Sequence, residues 1–120
     1  INDSTEQLKY GKGYDHNFVL NKNKDSGLDN AAEVTGDKSG IVMDVFTDEP
    51  GLQFYSGNFM QGKNTFKSGK KDDYRTAFCL ETQHFPDAPH HPLFPSIILK
   101  PGEMYHTVSI YKFSLNKSVQ

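Results

Sequence analysis

Short runs of apolar and aromatic residues alternate along this chain with glycine, asparagine, aspartate and proline. Such runs, bounded by turn-forming residues, are typical of β-strands. No segment keeps a helical period for more than about two turns, so we expect little helix. The chain is therefore predicted to be all-β, with strands at residues 16–20, 31–35, 41–47, 52–55, 76–83, 96–99 and 104–115.

The segments between these strands carry their own signals. Residues 36–40 join two predicted strands over a length that suits a hairpin. Residues 61–74 are polar and contain glycine, which predicts an exposed loop with little regular order. Proline recurs at every third position from Pro86 to Pro95, the period of a polyproline II helix, so a stiff extended loop is predicted there. No linker divides the chain, and residues 1–120 are predicted to belong to one domain.

Composition narrows the range of partners. The chain has 13 basic and 15 acidic residues, so it has no field that would attract nucleic acid or an anionic membrane surface. No apolar run approaches the roughly 20 residues that span a bilayer, and no secretory signal is visible. The single cysteine, Cys79, cannot form an internal disulfide, and we expect it to be buried as a small apolar residue. The compartment therefore stays open between cytoplasm and periplasm.

Histidines raise the question of a metal site. Three of the five, His84, His90 and His91, lie close together in the sequence. A zinc site needs several ligands that converge, whereas adjacent side chains diverge on an extended backbone. We therefore expect no metal and no cofactor, and we place these histidines in loops or at the rim of a pocket.

The position that points most directly to chemistry is Glu81, which ends an apolar run and is followed by a proline-containing loop. Alternation along a strand places Cys79, Glu81 and Gln83 on one face. Burying an ionised Glu is costly unless the carboxylate is paired or lies at the mouth of a cavity. From spacing alone, two interpretations stay open: a strand end that emerges into solvent, or a catalytic base.

Two further polar residues occupy unusual positions. Asp15 directly precedes a predicted strand, where capping a turn is its ordinary role. Gln53 lies between Leu52 and Phe54, and a strand with one solvent-facing side would explain it equally well. Neither residue identifies a site on its own.

Together with their neighbours, these three polar residues fall into a specific order. Gly-Tyr-Asp-His-Asn-Phe-Val-Leu at 13–20, Leu-Gln-Phe-Tyr-Ser-Gly-Asn at 52–58 and Leu-Glu-Thr-Gln-His-Phe-Pro-Asp-Ala-Pro at 80–89 resemble motifs of the aldose 1-epimerases, or galactose mutarotases. Residues 94–103 and the aromatic residues after them resemble the last strands of that family. Two departures are small: Ser56 stands where Thr is usual, and His90 where Asn is usual.

The resemblance implies a fold, an activity and a set of site residues. The fold would be the C-terminal third of a large antiparallel β-sandwich, a single mutarotase-like domain that is incomplete in this chain. The activity would be that of an isomerase of carbohydrate metabolism, interconverting the α and β anomers of hexoses such as galactose or glucose without a cofactor. Glu81 matches the family's general base, and Asp15 and Gln53 match residues that bind the sugar.

The same resemblance implies that part of the catalytic machinery lies elsewhere. The family's general acid is a histidine, assisted by a second histidine and an Asn-Arg pair, all N-terminal to the motif that begins at Gly13. None of the five histidines here matches those positions, and the first residue is Ile1 rather than Met. We therefore expect an inactive fragment whose partners are a hexose and the N-terminal remainder of the same protein. A non-catalytic carbohydrate-binding or structural domain on the same fold is the alternative.

Overall fold

The computed structural model describes residues 5–23 and 27–116, so Ile1 lies outside the described part of the chain. Within these residues the chain forms six strands, one short helix and one 3-10 turn. The elements are α1 (Glu6–Gly11), β1 (Asp15–Val19), β2 (Asp29–Thr35), β3 (Ile41–Thr47), β4 (Gly51–Tyr55), β5 (Cys79–Gln83), the 3-10 turn Ala88–His90 and β6 (Ser109–Leu115). The strands form two three-stranded sheets, in the orders β1-β4-β5 and β2-β3-β6. The predicted all-β class is confirmed.

The chain divides into two compact units, of which the first comprises residues 1–18 and 52–81. Helix α1 buries only Leu8, and it ends where Lys12 adopts a left-handed conformation with φ of 53°. The chain then enters β1 at Asp15. Aromatic rings fill one face of this unit: the Tyr14 and Phe54 ring centroids lie 5.3 Å apart, and those of Phe54 and Phe78 lie 6.2 Å apart. These contacts hold β1, β4 and the approach to β5 together.

Residues 61–74, also in the first unit, are mostly exposed. Their backbone is nevertheless more ordered than the polar composition indicated. The chain folds back so that Gly62 N–H donates to the Asp72 carbonyl and Phe66 N–H donates to the Lys70 carbonyl, each at 2.8 Å. The Asp72 carboxylate accepts the backbone N–H and the side-chain amide of Asn64, each at 2.7 Å. These hydrogen bonds hold the pKa of Asp72 below its usual range.

The second unit comprises residues 19–51 and 82–120. Its sheet is antiparallel: β2 joins β3 through the predicted hairpin, and β3 pairs with β6 from Ile41 opposite Leu115 to Thr47 opposite Ser109. Val45 and Thr47 are fully buried. Every residue of β6, in contrast, leaves its side chain exposed.

Two predicted strands are shorter than expected. The strand predicted at 76–83 begins only at Cys79, because Arg75 adopts a left-handed conformation with φ of 55° and Thr76 bonds back to the Asp73 carbonyl. The strand predicted at 104–115 begins only at Ser109, because the Val108 N–H is bonded to a carboxylate instead of a neighbouring strand. Cys79 is exposed, so the expectation that it is buried was wrong.

Two other predictions between β5 and β6 were also wrong. Residues 96–99 form no strand, since an apolar run becomes a strand only where a neighbour offers backbone pairing. The segment from Pro86 to Pro95 is not an extended polyproline helix. Asp87 adopts a left-handed conformation with φ of 58°, and the 3-10 turn Ala88–His90 follows. None of the helices in residues 5–23 and 27–116 is long and apolar enough to cross a membrane.

Candidate functional site

Two of the three predicted site residues are in direct contact. Asp15 opens β1 and Gln53 is the middle residue of β4, and these strands are neighbours in the first sheet. The side-chain amide of Gln53 donates to Asp15 Oδ1 at 2.8 Å. Asp15 is exposed and Gln53 is half-buried, so the pair lies at an accessible face of the first unit. The two residues are 38 positions apart in sequence, and the pairing of β1 with β4 brings them together.

Glu81 is the middle residue of β5, which lies next to β4 in the same sheet. Phe54, which follows Gln53, points to the face opposite that residue and packs there against Tyr14 and Phe78. Alternation along β5 places Cys79, Glu81 and Gln83 on one face of that strand, as predicted. Glu81 is exposed, as the first of the two interpretations left open by its spacing requires.

The Asp15–Gln53 pair carries groups that can bind hydroxyls. A carboxylate has two oxygens with about four lone-pair sites, so accepting one amide hydrogen leaves capacity for ligand hydroxyls. The exposed carboxylate of Glu81, on the neighbouring strand β5, is a group that can accept a proton. Within the described part of the chain, no group of three or more His, Cys, Asp or Glu side chains could hold a metal ion.

A buried polar network adjoins this site, and the sequence did not predict it. Ser56 and Asn58 are each only 5% exposed. The Tyr14 carbonyl accepts the Ser56 N–H at 3.0 Å and the Asn58 side-chain amide at 2.7 Å. Asn58 Oδ1 in turn accepts the Ser56 hydroxyl at 2.7 Å and Arg75 Nε–H at 3.4 Å. The sequence signal was the polar run after the apolar β4, where buried polar groups need partners.

Four of the five histidines occupy three settings, and among the described residues none of these settings could hold a metal ion. His16 Nδ1 accepts the backbone N–H of its neighbour Asp15 at 2.9 Å. His90 and His91 do not diverge as predicted, because the 3-10 turn brings both rings to the carboxylate of Asp87. His84 lies in the second unit beside a buried carboxylate.

That buried carboxylate is Glu49, which is 4% exposed and lines a cavity of about 470 Å³ in the second unit. Its Oε1 accepts the Tyr105 hydroxyl at 2.6 Å, and this bond raises the pKa of Tyr105. Its Oε2 lies 2.6 Å from His84 Nδ1 without the alignment of a hydrogen bond. The contact is therefore an ion pair when the imidazole is protonated. Residues 97–99, predicted to be a strand, form an apolar wall of this cavity.

Comparison with known proteins gives a consistent set of similarities. The family model for aldose 1-epimerase matches residues 1–112. The chain is 45% identical over 103 residues to galactose mutarotase of Rattus norvegicus and 44% identical over 103 residues to that of Homo sapiens. It is 38% identical over 104 residues to aldose 1-epimerase of Escherichia coli K12. These alignments cover 86% of this chain for the two mammalian relatives and 85% for the bacterial one.

A solved structure shows the same similarity at the level of the backbone. The crystal structure of the GalM/aldose epimerase homologue from C. elegans superposes with a TM-score of 0.72 at 27% identity. The match covers 85% of this chain and 30% of that structure. The chain likewise spans 30% of the length of the curated relatives it matches.

Proposed function

The chain belongs to the aldose 1-epimerase family, and from that premise we propose that it contributes the general base and two sugar-binding residues of an enzyme that interconverts hexose anomers. In this proposal Glu81 is the base, and Asp15 and Gln53 bind the sugar. The substrate is a hexose such as galactose or glucose. No cofactor takes part.

The observation that carries the proposal is the hydrogen bond between Gln53 and Asp15, in the sheet whose third strand carries Glu81. It couples an amide to a carboxylate, so the pair offers a donor group and an acceptor group at fixed separation to neighbouring hydroxyls of a ring. A sugar held in this way has fewer orientations available, and holding its C1 hydroxyl against a carboxylate supplies part of the rate gain.

In the proposed reaction, the Glu81 carboxylate and an acid open and reclose the sugar ring. The Glu81 carboxylate takes the proton of the C1 hydroxyl while an acid protonates the ring oxygen, and the bond between C1 and the ring oxygen breaks to give the open-chain aldehyde. Rotation about the C1–C2 bond exposes the other carbonyl face. Reclosure returns a proton from Glu81 to the C1 oxygen and a proton from the ring hydroxyl to the acid. Atoms and charge balance over the cycle, and bound sugar displaces water from the carboxylate.

We infer that the acid and the cover for the site come from sequence outside this chain. Family resemblance assigns the acid to an upstream histidine, and the relatives are more than three times as long as the matched segment, which spans 30% of their length. Exposure of β6 supports this inference, because Phe113 is 65% exposed and Leu115 is 70% exposed although both lie in a paired strand. In the complete polypeptide we expect the remaining sequence to cover these side chains.

The test is mutarotation of α-galactose followed by polarimetry, using the complete polypeptide that contains this chain. Glu81→Gln removes the proton acceptor but keeps the size and polarity of the side chain, and we expect the catalysed rate to fall about 10³-fold. Glu33→Gln makes the same chemical change at an exposed position of β2 and is expected to leave the rate unchanged. A Glu81→Gln rate within a few-fold of wild type would overturn the assignment of the base.

The alternative, a carbohydrate-binding domain without catalysis, gives a different pattern in the same experiment. Calorimetric titration with galactose would show binding to the unsubstituted protein, whereas polarimetry would show no acceleration above the uncatalysed rate. Catalysis that Glu81→Gln abolishes while galactose binding persists would support the enzyme and exclude the alternative.

A further inference from the structure

The backbone just before Asp15 is held by side chains from two other segments of the first unit. Tyr14 is bonded in both directions: its N–H donates to Ser56 Oγ at 3.1 Å, and its carbonyl accepts the Ser56 N–H and the Asn58 amide. Arg75 reaches one step further upstream and donates from Nη2 to the Lys12 carbonyl at 2.9 Å. Lys12 and Tyr14, the residues on either side of Gly13, are therefore both held by hydrogen bonds from other segments of the unit.

Asn58 is the centre of this network. Its amide nitrogen donates to the Tyr14 carbonyl, and its oxygen accepts from both Ser56 and Arg75. Asn58 is only 5% exposed, so losing its bond to the Tyr14 carbonyl would leave a buried amide nitrogen unpaired. The bonds from Ser56 and Arg75 to its oxygen fix which way the amide faces.

The backbone of residue 13 lies so close to the Asn58 and Arg75 side chains that only glycine fits there. Gly13 has φ of 142°, and a Cβ placed on it would lie less than 3.0 Å from the Asn58 side chain and 2.9 Å from Arg75 Nη2. Arg75 itself adopts a left-handed conformation with φ of 55°, which costs a non-glycine residue free energy that its surroundings must supply. Asn58 bonds the Tyr14 carbonyl and Arg75 bonds the Lys12 carbonyl, so both act on the backbone that leads into Asp15.

We propose that Asn58, oriented by Ser56 and Arg75, is a positioning residue of the sugar site: it holds the backbone of residues 12–14 so that Asp15 meets Gln53. This inference rests on the proposed function and deepens it. Asn58 touches neither the sugar nor the reacting atoms. It acts only through Asp15, so removing it should change what Asp15 contributes and nothing more.

A double-mutant cycle in the complete polypeptide tests this dependence. The variants are Asn58→Ala, Asp15→Ala and the double variant, with kcat and KM for galactose measured by polarimetry. We expect Asn58→Ala to raise KM and to lower kcat/KM about tenfold, a loss of transition-state binding. In the double variant we expect kcat/KM within about twofold of Asp15→Ala alone, because coupled residues are not additive.

The matched control is Asn64→Ala. Asn64 is exposed and bonds the carboxylate of Asp72 within residues 61–74, and its truncation is expected to leave both kinetic constants unchanged. If Asn58→Ala lowers activity by the same factor with and without Asp15, the residue has a structural role only and the proposal is overturned. If Asp15→Ala is itself without effect, the sugar-binding role of Asp15 in the proposed function fails instead.

A second variant keeps the proposal testable where Asn58→Ala does not yield folded protein. Ser56→Ala removes one hydroxyl from the network, while Ser56→Thr retains it and introduces the residue that is usual at this position of the family. We expect Ser56→Ala to raise KM and to show the same non-additivity with Asp15→Ala. The Ser56→Thr variant, which keeps the hydroxyl, is expected to have the wild-type KM. A Ser56→Thr protein as impaired as Ser56→Ala would contradict the assignment.

Discussion

The turn after β4 buries its polar side chains, whereas strand β6 leaves all of its side chains exposed. Residues 56–58 form no regular structure, yet all are buried and the polar side chains among them are hydrogen-bonded within the first unit. Strand β6, in the second unit, has its backbone paired along its whole length with β3 while every side chain stays exposed. The polar side chains of the turn are thus hydrogen-bonded within this chain, whereas the apolar side chains of β6 are left exposed by it. The hydrogen bonds around the candidate site are supplied locally, but the residues described here do not bury the apolar surface of β6.

The largest expected effect is at Gly57, in the buried turn. Its φ is 71°, and a Cβ there would lie less than 3.0 Å from the Ala77 carbonyl oxygen and 2.9 Å from Met60 Sδ. The left-handed backbone costs an L-residue about 1–2 kcal/mol, and overpacking adds about 1–3 kcal/mol. We therefore expect Gly57→Ala to lower the free energy of unfolding of the complete polypeptide by about 4 kcal/mol in total. Denaturant titration followed by circular dichroism measures it.

Gly69 supplies the matched control for that substitution. It has a similar φ of 77°, but nothing lies within 4 Å of a Cβ placed on it. Gly69→Ala should therefore show the backbone cost alone, about 1–2 kcal/mol. Equal losses at Gly57 and Gly69 would mean that the turn after β4 is not tightly packed, and the contrast with β6 would disappear.

The next effect tests the other side of the comparison. Phe113 is 65% exposed in this chain and lies opposite Met43 in the β3–β6 register. If the rest of the polypeptide covers it, Phe113→Ala should cost about 3 kcal/mol of unfolding free energy in the complete protein. Lys112→Ala, next to it on β6, is the control and should change the value by less than about 0.5 kcal/mol. A loss at Phe113 as small as that at Lys112 would show that the face of β6 remains uncovered.

The same contrast explains how far the sequence could predict the fold. Strand Ile41–Thr47 was predicted with its observed bounds, because its residues alternate between the two sides of a sheet and Val45 and Thr47 are buried. Residues 96–99 have an equally apolar composition but form no strand. Composition reports the tendency of a segment to extend, whereas pairing depends on which backbone lies beside it. The pairing partner of a strand can lie far away in sequence, so the composition of one segment does not reveal it.

The candidate site likewise has residues that the sequence predicted and residues that it did not. Asp15, Gln53 and Glu81 were predicted because each has an unusual side chain for its position within a specific motif. Asn58 and Arg75 were not, since polar residues after a strand are ordinary in a turn. Their role depends on hydrogen bonds to the carbonyls of Tyr14 and Lys12, more than 40 residues away in sequence. Backbone acceptors carry no sequence signature, so only the structure identifies such supports.

The smallest effect concerns Asp48 in the second unit, where a carboxylate takes the place of a strand partner. Asp48 Oδ1 accepts the Thr107 hydroxyl at 2.6 Å and the Val108 N–H at 2.9 Å. These two bonds, the Thr107 hydroxyl first, hold the pKa of Asp48 below its usual range. The folded state therefore favours the charged carboxylate. Its contribution to stability is present above the pKa of the unfolded chain, about 3.9, and is lost as the pH falls through the folded-state pKa.

Thr107→Val removes the bond with the larger effect on this pKa and retains the shape of the side chain, so we expect the pKa of Asp48 to rise toward its ordinary value. Carbon-detected NMR titration of the carboxylates between pH 2 and 6 measures it, with Asp72 as the internal control. The pKa of Asp72 is lowered by Asn64 in the first unit and should not move in this variant. A parallel rise at Asp72 would show that the variant perturbs the whole chain. An unchanged pKa of Asp48 would show that the Val108 N–H alone holds the carboxylate in its charged form.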